Sequence, residues 1–181
     1  ARAQEAAGLS LTLVKDRDGL LPLDPARHCR IVILADAGGS FFSGAPERNF
    51  EPLVAELEGR GFSVRTYDNA CPPTTADTDL LLYLIGQEAT AGLGVIQLDF
   101  ARLHGSARKA MMQFNREMPT LLVSFGQPYY LHDAPNFATY VNAYCSLPEN
   151  QRELARRLVG EAAFTGRSPV DPFCGMEQLT W

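Results

Sequence analysis

Residues 80–86 read "LLLYLIG", six apolar or aromatic side chains in succession and then a glycine. A strand turns alternate side chains to opposite faces, so an unbroken apolar run suits a strand covered on both sides, as in a parallel sheet between helix layers. The same texture returns at "LSLTLV" (9–14), "RIVILAD" (30–36), "FSVRTYD" (62–68), "TLLVSFG" (120–126) and "ATYVNAY" (138–144), all short and rich in branched and aromatic residues. Between them lie segments of helical character. "NFEPLVAELEGRG" (49–61) offers Asn49 as a cap, Leu53, Val54 and Leu57 on one face, and Gly61 for a left-handed stop. "SARKAMMQFNREM" (106–118) spaces Ala107, Ala110, Met111, Phe114 and Met118 helically and ends at Pro119. "LPENQRELARRLVGEAAF" (147–164) starts at Pro148, with Leu154, Leu158 and Ala162 on a stripe and its Glu and Arg residues on the opposite side.

Strand alternating with helix predicts an α/β fold: a three-layer α/β/α sandwich around a mainly parallel sheet of about six strands. With no internal repeat, no low-complexity tract and no linker-like stretch, one domain over residues 1–181 is expected.

Composition narrows the function classes. The apolar fraction of 46% and charged fraction of 20% are those of an ordinary globular protein. A net charge of −5 disfavours nucleic acid or an anionic membrane surface as partner, since either calls for a basic stripe. No apolar run approaches the roughly 20 residues of a membrane helix. The chain opens directly on helix-like "ARAQEAAG" without an initiator Met, which reads as a fragment or a processed product and leaves localisation open. Cys29, Cys71, Cys145 and Cys174 form no C-x-x-C pair, and His28, His104 and His132 show no ligand spacing. Reduced, mostly buried thiols of cytoplasmic type are expected, with neither a metal site nor a cofactor.

In sheets of this class ligands bind beyond the carboxyl ends of the strands. "ADAGGS" (35–40) is neither G-x-G-x-x-G nor G-x-x-x-x-G-K-[ST], and no lysine is placed to meet a phosphate, so nucleotide binding is disfavoured. Ser124 lacks the G-x-S-x-G elbow that exposes a nucleophile, and reads as a turn serine. His132-Asp133 suits capping or turn duty, and Asp16 and Asp18 in "KDRDG" suit a tight turn. Glu88, directly after an apolar strand, is the carboxylate best placed to face a cleft. A glycosidase-type acid needs a second carboxyl about 5–10 Å away, and the sequence shows no partner for it. No catalytic residue is therefore assigned. Glu88, Gln87, Gln127 and Tyr129 are expected to face a substrate pocket or an interdomain seam, the turn "SFGQPYY" (124–130) presenting the last two. The alternative is that Tyr129 and Tyr130 merely cap the core.

Two long stretches converge on one family. "AAGLSLTLVKDRDGLLPLDPARHCRIVIL" (6–34) resembles the start of the C-terminal domain of glycoside hydrolase family 3, where a helix leads to an "S-x-x-L-x-K-N" strand, "LPL" and an "I-x-V-I" strand. "TLLVSFGQPYYLHDAPNFATYVNAYCSLPENQRELARRLVGEAAFTGRSPV" (120–170) resembles the remainder, with "V-x-x-S-F-G-x-P-Y", "A-Y", a Gln-led helix and "G-x-S/L-P-V". The "SFG-x-PY…AY" form is most similar to the β-N-acetylhexosaminidase branch. The resemblance implies an accessory α/β sandwich beside a catalytic (β/α)8 barrel. That barrel would carry the nucleophile and, in this branch, the acid/base, and the substrate would be a β-linked carbohydrate. In many family β-glucosidases the sandwich domain supplies the acid/base glutamate after the strand matching "LLLYLIG"; here "GQEATAGLGVIQLD" (86–99) carries only Glu88. Two other readings stand beside this one: a free-standing α/β module for a small polar or sugar ligand, and a purely structural interaction domain.

Overall fold

The computed structural model describes residues 2–38, 48–87, 97–112 and 114–180. Among them, six strands form one sheet: β1 (Thr12–Asp16), β2 (Arg30–Asp36), β3 (Ser63–Thr66), β4 (Leu80–Ile85), β5 (Thr120–Ser124) and β6 (Thr139–Asn142), in the order β1-β6-β5-β4-β2-β3. Every pairing is parallel except that of β1 with β6, which runs antiparallel and breaks register between Leu13 and Lys15. All six residues of β4 are buried, as the uninterrupted apolar run requires of a strand in the middle of the sheet.

Two helix layers cover the sheet. On one face α2 (Glu51–Glu58) and α6 (Pro148–Leu158) pack over Ile31, Ile33, Leu82, Leu84, Val123 and Val141, and α1 (Arg2–Ser10) packs on α6. On the other, the short helices α3 (Phe100–Leu103), α4 (Ala107–Ala110) and α5 (Phe114–Glu117) and the 128–138 segment pack over Val32, Leu34, Tyr83, Leu122 and Tyr140. The three-layer α/β/α sandwich is the arrangement anticipated from the sequence.

Local differences have identifiable causes. Residues 9 and 10 finish α1, so the first strand starts at Thr12 and reaches Asp16, where Asp16 accepts the Leu20 and Leu21 amides and shapes the turn expected of "KDRDG". Asn49 does accept an amide, that of Glu51 at 2.7 Å, but the helix begins one residue later, from Phe50. The helix expected over 106–118 is instead α4 and α5 with a turn between them. The supposed apolar stripe does not hold: Met111 and Met112 are exposed, and only Phe114 and Met118 of the five reach the core. The third predicted helix stops at Leu158, and two of its charged residues are not on a solvent face. Glu153 and Arg157 are buried against each other, 2.6 Å apart, where α1 covers them and Gln4 donates to Glu153 at 2.8 Å. The thiols are free but not buried: Cys71 and Cys174 are exposed, Cys29 and Cys145 half-buried.

One buried polar residue ties this layer together. Gln151 has no solvent exposure; its Oε1 accepts the Leu53 amide at 3.1 Å, and its Nε2 donates to the Asn49 and Ser146 carbonyls at 2.8 and 2.7 Å. The Leu53 amide in the first turn of α2 is thereby shared between the Phe50 carbonyl and a side chain from α6.

Candidate functional site

The strand order reverses between β2 and β4: the chain goes from β2 outward to β3, then crosses back to β4 on the other side of β2. The connections that leave these two strands run in opposite directions along the sheet at that point, which is where α/β sheets hold ligands. Here the two strand ends meet closely. The Gly86 amide donates to the Asp36 carbonyl at 2.7 Å. Gly38 has φ +67, and a Cβ there would lie 2.7 Å from the Gly86 carbonyl oxygen, so only glycine permits both the turn and the approach. A Cβ on Gly86 would meet the Arg48 side chain at 2.6 Å, which places that arginine across the pair of glycines.

Polar groups converge on this crevice. Asp36 is buried; one carboxylate oxygen accepts the Gly38 amide at 3.0 Å and lies 3.5 Å from the Arg102 guanidinium. The floor is Tyr130, fully buried, whose hydroxyl donates to the Gln87 carbonyl at 3.3 Å. Burial pushes its phenol well above the ordinary range, Asp36 and Asp133 push it further, and Gln127 and Arg48 oppose them. At pH 7 it is a neutral donor.

Gln87 is half-buried and its Oε1 is a buried acceptor with no hydrogen-bond partner. Gln127 turns back on its own loop, where its Oε1 accepts the Tyr129 amide at 3.0 Å. Tyr129 is exposed at the turn, while its neighbour Tyr130 lies in the core, so the tandem tyrosines divide the two roles between them. Glu88 lies outside the described residues. Ser124 is the turn residue expected: fully buried, it donates to the Gln127 carbonyl at 2.6 Å and accepts the Gly126 amide at 3.3 Å. His132 and Asp133 stand 3.6 Å apart, but Asp133 also holds the Leu98 amide at 3.1 Å and His132 points largely to solvent.

Sequence reading missed Asp36, Arg48 and Arg102 as a group. The acid at the end of "RIVILAD" before two glycines was a usable signal; the arginines were not, because Arg102 is 66 residues further along the chain and only the fold brings it to Asp36. Among the described residues, no three His, Cys, Asp or Glu side chains are grouped to hold a metal ion.

A rim of apolar side chains surrounds the same edge. Leu9, Tyr129, Leu147 and Val170 are exposed, and each belongs to a segment that borders the carboxyl ends of the strands. Leu9 precedes β1, which runs antiparallel and so starts at this end; Tyr129 follows β5; Leu147 leads from β6 into α6. The Val170 segment is fastened by the Tyr144 hydroxyl, 3.2 Å from Ser168 Oγ. A cleft of about 620 Å³ lies at the opposite, amino end of β5 and β6, between Arg17, Arg27 and Arg116. The first two are already paired with Asp18 and Asp24.

No family model matches the sequence. Over 186 aligned residues the chain is 34% identical to a curated relative from Cellulomonas fimi, the beta-N-acetylglucosaminidase/beta-glucosidase, covering 97% of this chain and 32% of that protein. Among solved structures, a beta-glucoside phosphorylase, BglX, is 33% identical with a TM-score of 0.81, over 98% of this chain and 32% of its own. A glycoside hydrolase family 3 beta-N-acetylglucosaminidase from Paenibacillus sp. shares the fold at 18% identity and TM-score 0.62, over 93% of this chain and 32% of its own. The chain thus spans about a third of the length of the larger proteins it matches. Over nearly its whole length it is similar to one part of these larger enzymes, and its α/β sandwich is the fold found in a glycoside hydrolase family 3 structure.

Proposed function

We propose that this chain is the accessory domain of an enzyme that cleaves terminal β-glycosidic bonds, docking by its carboxyl edge on a catalytic (β/α)8 barrel that carries the bond-breaking groups. The observation that carries the reading is the 34% identity to a beta-N-acetylglucosaminidase/beta-glucosidase over nearly the whole chain but only 32% of that protein. The exposed apolar side chains of Leu9, Tyr129, Leu147 and Val170 support it, because several large apolar groups left in water along one edge suit a contact face. Gln87, with its unpartnered acceptor, and Tyr129 face the seam; Gln127 shapes the turn that presents Tyr129.

The chemistry supports a divided labour. Retaining hydrolysis needs an ionised and a protonated group flanking one bond. Asp36 is occupied by a backbone amide and Arg102, so the crevice works as a rigid wall rather than as an acid–base pair. The purified chain should show no turnover of 4-nitrophenyl β-N-acetylglucosaminide or β-glucoside, and turnover should follow when it is produced joined to its upstream catalytic region. Turnover by the chain alone that is lost on Glu88→Gln would overturn the reading.

The likeness to a beta-glucoside phosphorylase favours a second reading, in which the parent enzyme passes the glycosyl group to inorganic phosphate rather than to water. Release of a glycosyl phosphate when phosphate is added to the joined protein distinguishes the two.

A further inference from the structure

Just beyond β6, the chain takes a backbone conformation that its residue resists. Tyr144 has φ 58, a left-handed value that a bulky side chain rarely adopts. Three main-chain bonds hold it there. The Ala143 and Tyr144 amides both donate to the Ser124 carbonyl, at 2.8 and 3.3 Å. The Cys145 amide donates to the Ala143 carbonyl at 2.7 Å, closing a three-residue turn around the tyrosine. Glycine would make this turn at no steric cost. What tyrosine adds is its ring and its hydroxyl.

The hydroxyl begins a chain of bonds. It donates to Ser168 Oγ at 3.2 Å, and that oxygen accepts the Val170 amide at 3.4 Å. Pro169 between them has no amide and a fixed φ, so the seat of the serine decides where Val170 stands. Further back, Gly166 lies on the main chain that leads into β1. A Cβ there would run into the Leu11 carbonyl and come within 2.8 Å of the Leu9 carbonyl. Phe164 packs on the core beneath. The limb from Phe164 to Val170 is thus tied along its length, and it ends on an exposed apolar side chain at the same edge as Leu9. Backbone strain persists only where the surroundings enforce it, and it collects at positions that have a task.

We propose that Tyr144 is a positioning residue for the interdomain seam: its strained turn aims the hydroxyl at Ser168 and so sets Val170 in the face offered to the catalytic barrel. The inference rests on the docking reading above, in which the barrel is the occupant because the chain covers only 32% of the larger proteins it matches.

Peptide-resolved hydrogen exchange tests it, in the chain alone and in the protein joined to its upstream catalytic region. In the chain alone, Tyr144→Phe keeps the ring and should speed exchange of the 166–170 segment about fivefold, the loss expected of one neutral hydrogen bond. Exchange in β4 should not change. Ser168→Ala should speed the same segment, and the double variant should exchange no faster than Ser168→Ala, because both substitutions break one chain of bonds. Joining should slow the segment about tenfold in the unaltered protein, and Tyr144→Phe should lose most of that slowing. A merely local fastening would leave the slowing intact. Unchanged exchange in either single variant overturns the proposal, as does a Tyr144→Phe segment still fully slowed on joining. If joining slows nothing in the unaltered protein, the docking reading itself fails, and this proposal with it.

Discussion

Gln151 reaches three main-chain groups that belong to two different elements, and no apolar replacement can satisfy them. Gln151→Leu should cost about 1–3 kcal/mol in urea unfolding, since it leaves the Asn49 and Ser146 carbonyls without their side-chain donor and the Leu53 amide with the Phe50 carbonyl alone. Gly38→Ala should cost ~1–3 kcal/mol, combining a left-handed backbone with a Cβ driven onto the Gly86 carbonyl. His104 titrates in a direction that can be checked. Burial holds its ring below the ordinary histidine range, and His28 is shifted the same way by burial and by Arg27. A group with a lowered folded pKa binds its proton more readily when unfolded, so the stability is complete above about pH 6.5 and declines as the pH falls below it. The urea midpoint should therefore drop between pH 7 and pH 5, and a flat profile would contradict this. Residue roles were partly legible beforehand. Ser124 and the "KDRDG" turn were readable because short polar side chains beside glycine have few alternatives. Gln151 was visible only as part of a motif, since its partners are 5 to 102 residues away.

At the scale of elements, α6 shows where periodicity misleads. The spacing of Leu154 and Leu158 was read correctly as a buried stripe, but the charged face was assigned to water when α1 covers it. A sequence pattern states which side chains avoid solvent on their own account; it does not state which charged pairs a neighbouring helix will enclose. Burial alone would raise the Glu153 carboxyl, yet the hydrogen bonds from Arg157, Gln4 and Arg156 outweigh it and bring the group down to about 2. A carboxylate with a lowered folded pKa stabilises the protein above its unfolded value of 4.5, and that contribution is lost as the pH falls towards about 2. Glu153→Gln should lower stability at pH 7 and flatten the acid limb between those values; an unchanged acid limb would show that the pair does not fasten α1. The split of the predicted 106–118 helix has a comparable cause. Ala107, Met111 and Met112 stay exposed because the short connections around them place the sheet-covering role on Leu103, Phe114 and Met118.

For the whole molecule, the sandwich followed from strand texture because a strand buried on both faces leaves an unmistakable apolar run. The crevice did not follow, because Asp36, Arg48, Gly86, Arg102 and Tyr130 come from separate segments that only the fold brings together. The rim at the carboxyl edge gives a prediction at this scale. Replacing Leu9, Tyr129, Leu147 and Val170 together by serine should leave the melting midpoint of the chain within about 2 °C, as exposed sites contribute little to stability. In the protein joined to its upstream region, the same substitutions should lower the midpoint or raise KM; an unaltered joined protein would argue against the seam. The antiparallel pairing of β1 with β6 has a further consequence, for biogenesis. Thr12 finds its place beside Asn142, so β1 must wait for a strand made 130 residues later. Until then β1 is an unpaired strand able to recruit strands from other chains. Chaperone shelter should therefore matter while the intervening residues are made, and slowing elongation between these two points should increase misassembly rather than relieve it.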